Sequence, residues 1–338
     1  MSRRSFLGRS ASGLAWMGLA GSLEGLHGLL RRAAAGSSGS ADETVVTILH
    51  TNDVHSRIDP FPEGSGRNAG LAGAARRATL IKQIRANNPR TLLLDAGDVF
   101  QGTPYFNLFK GEVDFKVMNS LGYDAMTIGN HEFDCGLEGL ASVLRLARFK
   151  VVSANYDFSR TLLRDRVHPY IIRELGDVRV GIFGLGVILE GLVPESLCRG
   201  VVYSNPIPVA RKVARYLREE ERCHLVVCLS HLGNNGYQGE PGEQQIAKEV
   251  EGIDFIIGGH SHTFMREPTR IRHGSRETLV FQVGWAGIYL GRVDFLMRAG
   301  EVVATHACTI PVGTVEVVET QACTIPVGTV QEARIQTA

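Results

Sequence analysis

The 338 residues carry 36 Lys and Arg against 35 Asp and Glu, a net charge of +1, and 44% of them are hydrophobic. This composition is ordinary for a soluble globular protein and provides enough apolar residues for a sizeable core. The near-neutral charge argues against a strongly basic surface, so a nucleic acid polymer is not an expected partner.

The first 35 residues predict a targeting segment rather than part of the fold. The sequence SRRSFL at residues 2–7 resembles the twin-arginine export signal, and AAA at residues 33–35 offers small residues for cleavage. We therefore expect residues 1–35 to be a signal peptide recognised by the twin-arginine (Tat) translocase, and residues 36–43 to be a linker. The mature protein would then be periplasmic or extracellular. The alternative is an ordinary basic, disordered N-terminus.

Apolar runs of strand length alternate with helical segments along the rest of the chain. The predicted elements, in chain order, are a strand over residues 45–49, a helix over 68–86, a strand over 91–94, a helix over 114–121, a strand over 125–128, a helix over 137–147, a strand from 151, a strand over 178–183, a helix over 209–221, a strand over 225–229, a helix over 244–250 and strands over 255–257, 279–283 and 289–296. This alternation predicts an α/β fold with parallel strands, and the strand-rich end adds antiparallel or second-sheet material.

Five short polar motifs each follow one of these apolar runs. They are TNDVH at 51–55, GD at 97–98, GNHEFD at 129–134, SH at 230–231 and GGHSH at 258–262, and they hold five of the 11 histidines. In open α/β folds the site lies beyond the carboxyl ends of the strands. We therefore expect the five motifs to converge.

The residue types in these motifs are the ligands of a two-metal hydrolytic site. A carboxylate can bridge two cations through its two oxygens, and Asp98, on a glycine-rich turn after a buried strand, is the natural bridge. The donor set contains nitrogen and oxygen without thiolate, which suits two divalent ions of Zn, Mn, Fe, Co or Ni. The candidate metal ligands are Asp53, His55, Asp98, Asn130, His231, His260 and His262.

Together the motifs resemble the metallophosphoesterase (calcineurin-like) superfamily, and within it the catalytic domain of the 5′-nucleotidase family. The segments that carry the resemblance are ILHTNDVHS (48–56), LLDAGDVFQG (93–102), IGNHEFDCG (128–136), SANYD (153–157), LSHLG (229–233) and GGHSHT (258–263). The resemblance implies a four-layer α/β/β/α sandwich of two mixed sheets flanked by helices, which we assign to residues 44–315.

The resemblance also implies a role for each motif residue. One metal would take Asp53, His55, Asp98 and His262, and the other would take Asp98, Asn130, His231 and His260. A hydroxide between the metals would attack phosphorus in line. His131 would stabilise the phosphoryl charge or protonate the leaving oxygen, and Asp134 would orient His131. Glu132 is expected to be structural, pointing away from His131.

The sequence departs from the family pattern at its C-terminal end. Family 5′-nucleotidases carry a second domain that holds the nucleoside, whereas this sequence ends soon after the region of resemblance. We expect residues 316–338 to be a tail. It contains ACTIPVGTV at 322–330, a repeat of residues 307–315, and we expect the second copy to lie outside the core.

These observations predict an exported, dinuclear-metal phosphoric-ester hydrolase whose small-molecule substrate is a nucleotide or related monoester. The alternatives are a 2′,3′-cyclic-nucleotide phosphodiesterase, a thiosulfohydrolase, or a catalytic subunit that needs a separate nucleotide-binding chain. Trp285 and Tyr289 either line a substrate cleft or pack in the core. The six cysteines form no CxxC pair, so a thiolate zinc site is not expected and no disulfide is assigned.

Overall fold

The structure, a computed structural model, describes residues 43–313. The predicted signal peptide, all but the last residue of the predicted linker, the predicted tail and the second copy of the repeated segment lie outside the described residues. The first copy contributes residues 307–311 to the last strand of the fold.

The described residues form strands and helices that alternate along most of the chain. The strands are β1 (Glu43–Thr51), β2 (Thr91–Asp95), β3 (Ala125–Thr127), β4 (Lys150–Val152), β5 (Tyr156–Asp157), β6 (Val167–His168), β7 (Tyr170–Leu175), β8 (Val178–Gly186), β9 (Val202–Tyr203), β10 (Leu225–His231), β11 (Phe255–Ile257), β12 (Thr269–His273), β13 (Arg276–Phe281), β14 (Tyr289–Arg298) and β15 (Glu301–Pro311). The α-helices are α1 (Ala74–Asn87), α2 (Pro104–Phe109), α3 (Glu112–Leu121), α4 (Gly136–Leu144), α5 (Glu195–Cys198), α6 (Pro206–Glu219) and α7 (Glu243–Glu249).

Two mixed sheets contain most of the strands. The first has the order β15-β14-β1-β2-β3-β4-β6, with β1, β2, β3, β4 and β6 parallel and β14 and β15 antiparallel to their neighbours. The second has the order β12-β13-β11-β10-β8-β7, with antiparallel strands at both edges of a parallel centre. The predicted combination of parallel and antiparallel strands is therefore confirmed.

Three layers of apolar side chains hold these sheets and helices together. Leu80 of α1 and Phe115 of α3 belong to a cluster on the outer face of the first sheet. Ile48 of β1 and Val227 of β10 lie in a second cluster between the sheets. A third cluster, which includes Ile246 of α7, covers the outer face of the second sheet. The order of layers is α/β/β/α, as predicted.

The helix predicted over residues 68–86 begins later, at Ala74. The backbone is left-handed at Gly70, Ala72 and Gly73, with φ of 70°, 66° and 104°, and this conformation cannot continue a right-handed helix. A Cβ on Gly73 would lie 2.9 Å from Cγ of Pro60. The apolar spacing therefore predicted the helix, but the close approach of Pro60 sets its start.

Among residues 43–313, no helix is both long enough and apolar enough to cross a bilayer.

A buried histidine in β1 makes the stability depend on pH. His50 is fully buried against the rings of Phe255 and Phe281, with no hydrogen-bond partner for either ring nitrogen among residues 43–313. Burial disfavours the charged imidazole and lowers the pKa of His50 to about 3. The unfolded chain takes up this proton near pH 6.5 and the folded chain does not, so stability is lost as the pH falls from about 6.5 towards 3.

We expect His50→Leu to remove this loss. From pH 7 to pH 4 the free energy of unfolding of the unmodified protein should fall by on the order of 3 kcal/mol more than that of the variant. Urea unfolding at a series of pH values measures the difference. Parallel curves for the two proteins would contradict the assignment of a neutral, buried imidazole.

Candidate metal centre

The five motifs converge at one edge of the two sheets. TNDVH follows β1, GD follows β2, GNHEFD follows β3, SH ends β10 and GGHSH follows β11. The strands β1, β2 and β3 are parallel neighbours in the first sheet, and β10 and β11 are parallel neighbours in the second. Their carboxyl ends therefore open on the same side of the sandwich, as the sequence predicts.

The backbone at the candidate ligands is unusual. The residues with left-handed φ include Asp53 at 50°, His55 at 50°, Asp98 at 54°, His260 at 68° and His262 at 51°. Each such conformation costs roughly 1–3 kcal/mol for a residue with a side chain, and it persists where the surroundings enforce it. The concentration of this strain in the motif loops indicates that they are arranged for function.

Asp53, His55 and His262 form one group of side chains, with ligand atoms all within 4.8 Å of one another. The Nε2 atoms of His55 and His262 face each other at 3.0 Å, and Nε2 of His262 lies 3.4 Å from Oδ1 of Asp53. The Nδ1–H of His55 donates to the carbonyl of Phe100 at 3.0 Å. That hydrogen bond leaves the Nε2 lone pair of His55 directed into the group, as for a metal-binding histidine.

Asp98, His231 and His260 form a second group within the same 4.8 Å limit. Nε2 of His231 lies 3.0 Å from Oδ2 of Asp98. Asn130 adjoins this group, because its Oδ1 is 2.9 Å from Nδ1 of His260. The two groups abut, since Nε2 of His231 is 4.0 Å from Oδ1 of Asp53. All seven candidate ligands therefore lie around one small volume, with Asp98 in the second group.

The surroundings of His231 indicate that these residues fit a bound cation. Its Nδ1–H donates to the carbonyl of Ala96 at 2.7 Å, whereas its fully buried Nε2 has no hydrogen-bond partner among the described residues. Burial lowers the pKa of His231, but the negative charges of Asp98 and Asp53 outweigh it and raise the pKa to about 10. The pocket thus favours positive charge at Nε2, and a divalent ion supplies that charge with neutral imidazole as ligand.

His131 and Asp134 form a pair beside the two groups. Nδ1 of His131 donates to Oδ2 of Asp134 at 2.9 Å, and the backbone N–H of His131 donates to Oδ1 of Asp98 at 2.9 Å. Both side chains are about one-third exposed, at 31% each. The carboxylate thereby fixes the tautomer and leaves Nε2 of His131 available to a substrate.

Glu132 points away from this pair and stabilises the backbone. Its fully buried carboxylate accepts N–H groups from Gly129, Asp98 and Val99 at 2.7, 3.0 and 2.8 Å. Burial and the repulsion of Asp98 raise its pKa to about 7. The structure thus gives Glu132 the structural position predicted for it, where it joins the GD loop to the GNHEFD loop.

The motif glycines allow these loops to approach closely. A Cβ on Gly129 would lie 2.3 Å from Oδ1 and 2.7 Å from the backbone nitrogen of Asp98. We expect Gly129→Ala to displace Asp98, to destabilise the fold by about 1–3 kcal/mol, and to lower metal binding and hydrolysis together. Thermal unfolding and metal analysis measure both effects. Gly64→Ala is the matched control, because nothing lies within 4 Å of its Cβ, and a normal Gly129→Ala protein would contradict this packing.

Three supporting side chains, those of Gln282, Glu243 and Asn52, were not identified from the sequence. Buried Gln282 donates to the carbonyl of Gly259 at 2.9 Å and to Glu243 at 3.0 Å, and it accepts the N–H of Thr263 at 2.9 Å. It therefore holds both ends of the loop that carries His260 and His262. Asn52 lies in a predicted motif but had no assigned role, and its Nδ2 donates to Oδ2 of Asp53 at 2.6 Å. The signal available in the sequence was a polar residue, Gln282, within the apolar strand predicted over residues 279–283.

A cleft of about 490 Å³ opens over the two groups. Gln101 and Leu192 contribute to its walls, and Trp285 forms another wall. The Trp285 indole is stacked on the imidazole of His262, with ring centroids 5.9 Å apart and planes at 6°. Of the two readings of Trp285 from the sequence, the cleft wall is the one that the structure supports. The remaining lining residues are His55, Asp98, Gly102, Asn130, His131, His260 and His262.

The fold and the metal-ligand chemistry define a class of metal-dependent phosphate-ester hydrolases. The family model described as calcineurin-like phosphoesterase matches residues 46–264, and the chain belongs to this family. The resemblance predicted from the motifs is therefore confirmed, and family membership places the chain among the phosphate-ester hydrolases.

Particular relatives are 5′-nucleotidases and nucleotide phosphoesterases. The chain is 39% identical over 285 residues to the 5′-nucleotidase of Bos taurus, covering 77% of this chain and 48% of the bovine one. It is 32% identical over 299 residues to the trifunctional nucleotide phosphoesterase YfkN of Bacillus subtilis, covering 79% and 19%. A solved 5′-nucleotidase precursor from Thermus thermophilus matches with a TM-score of 0.71 at 36% identity, covering 79% and 54%. The chain thus spans about half or less of the length of these curated relatives.

Proposed function

We propose that the chain is a dinuclear-metal phosphomonoester hydrolase of the 5′-nucleotidase type. The observation that carries this proposal is the meeting of two carboxylate–imidazole groups with the His131–Asp134 pair in one cleft. Two divalent ions would supply Lewis-acid activation of water and of the phosphoryl oxygens. Asp53, His55 and His262 would hold one ion, and His231, His260 and Asn130 would hold the other. Asp98 would be shared.

The side chains of the cleft would carry out the remaining steps. His131 lines the cleft with Nδ1 held by Asp134, so its Nε2 would be free to contact an ester bound there. Held in this way, His131 stabilises the developing phosphoryl charge or protonates the leaving oxygen. Trp285 gives the cleft an apolar wall on one side.

The proposed substrates are nucleotides, because the relatives named above are nucleotidases and nucleotide phosphoesterases. The test is hydrolysis by the purified chain, supplied in turn with Mn²⁺, Zn²⁺ and Co²⁺, of a nucleoside 5′-monophosphate, a 2′,3′-cyclic nucleotide, a phosphodiester and thiosulfate esters. We expect the 5′-monophosphate to be hydrolysed fastest. Failure to hydrolyse any phosphomonoester with any of these metals would refute the proposal. A preference for the cyclic nucleotide would favour the phosphodiesterase alternative.

We further propose export by the twin-arginine route, on the basis of SRRSFL at residues 2–7. Replacing both arginines by lysine in a chain expressed in a bacterium with this pathway should keep the protein in the cytoplasm. Fractionation that finds the variant outside the cytoplasm as often as the unmodified chain would refute this route.

A further inference from the structure

A second cavity, of about 680 Å³, lies beside Trp285. Trp285 lines both this cavity and the cleft over the metal groups, so the two spaces share a wall. Phe264 and Tyr289 also line it, with ring centroids 5.9 Å apart and planes at 77°. We call this cavity the aromatic cavity.

The walls of the aromatic cavity are attached to the loop that carries His260 and His262. Phe264 follows His262 by two residues and forms a β-bridge with Val283. The N–H of Gly284 donates to the carbonyl of Thr263 at 3.0 Å. The ring of Phe264 packs on the bare backbone of Gly284, where a Cβ would lie 2.1 Å from Cε1. The position of the cavity is thus fixed relative to the candidate metal ligands.

Exposure and charge in the aromatic cavity favour a planar, electron-rich ligand. Phe264 is 50% exposed, so part of its ring surface is open to a ligand. Arg67 and Arg266 are exposed at the rim, and neither has a carboxylate partner among residues 43–313. Aromatic faces and guanidinium groups are the side chains on which nucleobases stack.

We propose that the aromatic cavity binds the base of a nucleotide whose phosphoryl group lies at the metal centre. This inference rests on the proposed function and deepens it, since it places a base-recognition subsite within residues 43–313. The shared wall at Trp285 supports this occupant, because a ligand that passes over Trp285 reaches both spaces. A base in the cavity would contact Phe264 and the rim arginines while the ester lies near His131.

The test compares two esters that differ only in the base, AMP and ribose 5-phosphate. In Phe264→Ala we expect kcat/KM for AMP, divided by kcat/KM for ribose 5-phosphate, to fall about 5- to 100-fold, the range expected for one lost stacking contact. Phe109→Ala is the matched control, because Phe109 is a phenylalanine of similar exposure, 46%, that does not line the cavity. In that control the ratio should equal that of the unmodified protein.

Two outcomes would overturn the subsite. An unchanged ratio in Phe264→Ala would show that the ring does not contact the base. An equal fall for both esters would show that Phe264 only positions the loop of His260 and His262. If the unmodified protein hydrolyses neither ester, the proposed function fails instead.

A binding measurement keeps the two proposals separate. The sequence contains two tryptophans, Trp16 and Trp285, so in a Trp16→Phe chain fluorescence reports Trp285 alone. We expect adenosine to quench this fluorescence saturably and ribose to leave it unchanged, whether or not the protein hydrolyses AMP. Absence of saturable quenching by adenosine would refute a base subsite at Trp285.

Discussion

Replacement of Asp98 by alanine is expected to abolish binding of both metal ions and to lower phosphomonoester hydrolysis by on the order of 10³-fold or more. Asp98 is buried at the centre of the site. One of its oxygens lies 3.0 Å from Nε2 of His231, and the other accepts the N–H of His131. The pKa of Asp98 reflects this position, since burial would raise it but the positive charge of the neighbouring His231 holds it below its usual range. A carboxylate that stays ionised although it is buried is suited to bind two cations at once.

Metal analysis of the purified Asp98→Ala protein measures its metal content, and an assay with a generic phosphate ester measures its activity. Asp165→Ala is a surface control, because the Asp165 side chain is 85% exposed, and it should keep full metal content. Two ions per chain in Asp98→Ala would contradict a shared role for this carboxylate. Circular dichroism would check whether the variant retains its secondary structure.

Replacement of His131 by alanine is expected to lower hydrolysis without removing the metal ions. The metal content should stay that of the unmodified protein, because His131 is outside both groups of candidate ligands. Hydrolysis should fall by roughly 10²–10⁴-fold, the usual contribution of a positioned acid or base. The test is metal content and kcat measured on the same preparation.

Asp134→Asn is the companion variant, because it keeps the shape of the partner of His131 and removes its charge. We expect it to retain metal and to lose less activity than His131→Ala, since the imidazole remains in place. Near-full activity of His131→Ala would refute its catalytic role. Loss of metal in His131→Ala would instead assign it to the metal site.

The sequence predicted the architecture well where a local pattern of residues is enough to define an element. Parallel strands such as β10, with all seven residues buried, read directly as apolar runs. The polar motifs were recognisable because each follows such a run, and the turn from strand to loop places every motif at the same edge. Convergence of Asp53, Asp98 and His231 therefore needed only the α/β pattern and the rule for strand ends.

Features that depend on contacts between residues far apart in the chain could not be predicted from the sequence. The start of α1 depends on Pro60 against Gly73, and the support of the GGHSH loop depends on Glu243 and Gln282, which are 39 residues apart. The half-buried edge strand β7, with no fully buried residue, lacks the alternation that identifies a strand in sequence. Local pattern thus located the candidate ligands but not the side chains that hold them.

In the proposed metal centre, two adjacent groups of side chains would hold two divalent ions around Asp98. Anomalous diffraction from crystals of the Mn²⁺-loaded or Zn²⁺-loaded chain would locate these ions. We expect two peaks in the cleft, one coordinated by Asp53, His55 and His262, the other by His231 and His260, with Asp98 coordinating both. A single peak, or peaks outside these two groups, would contradict this arrangement.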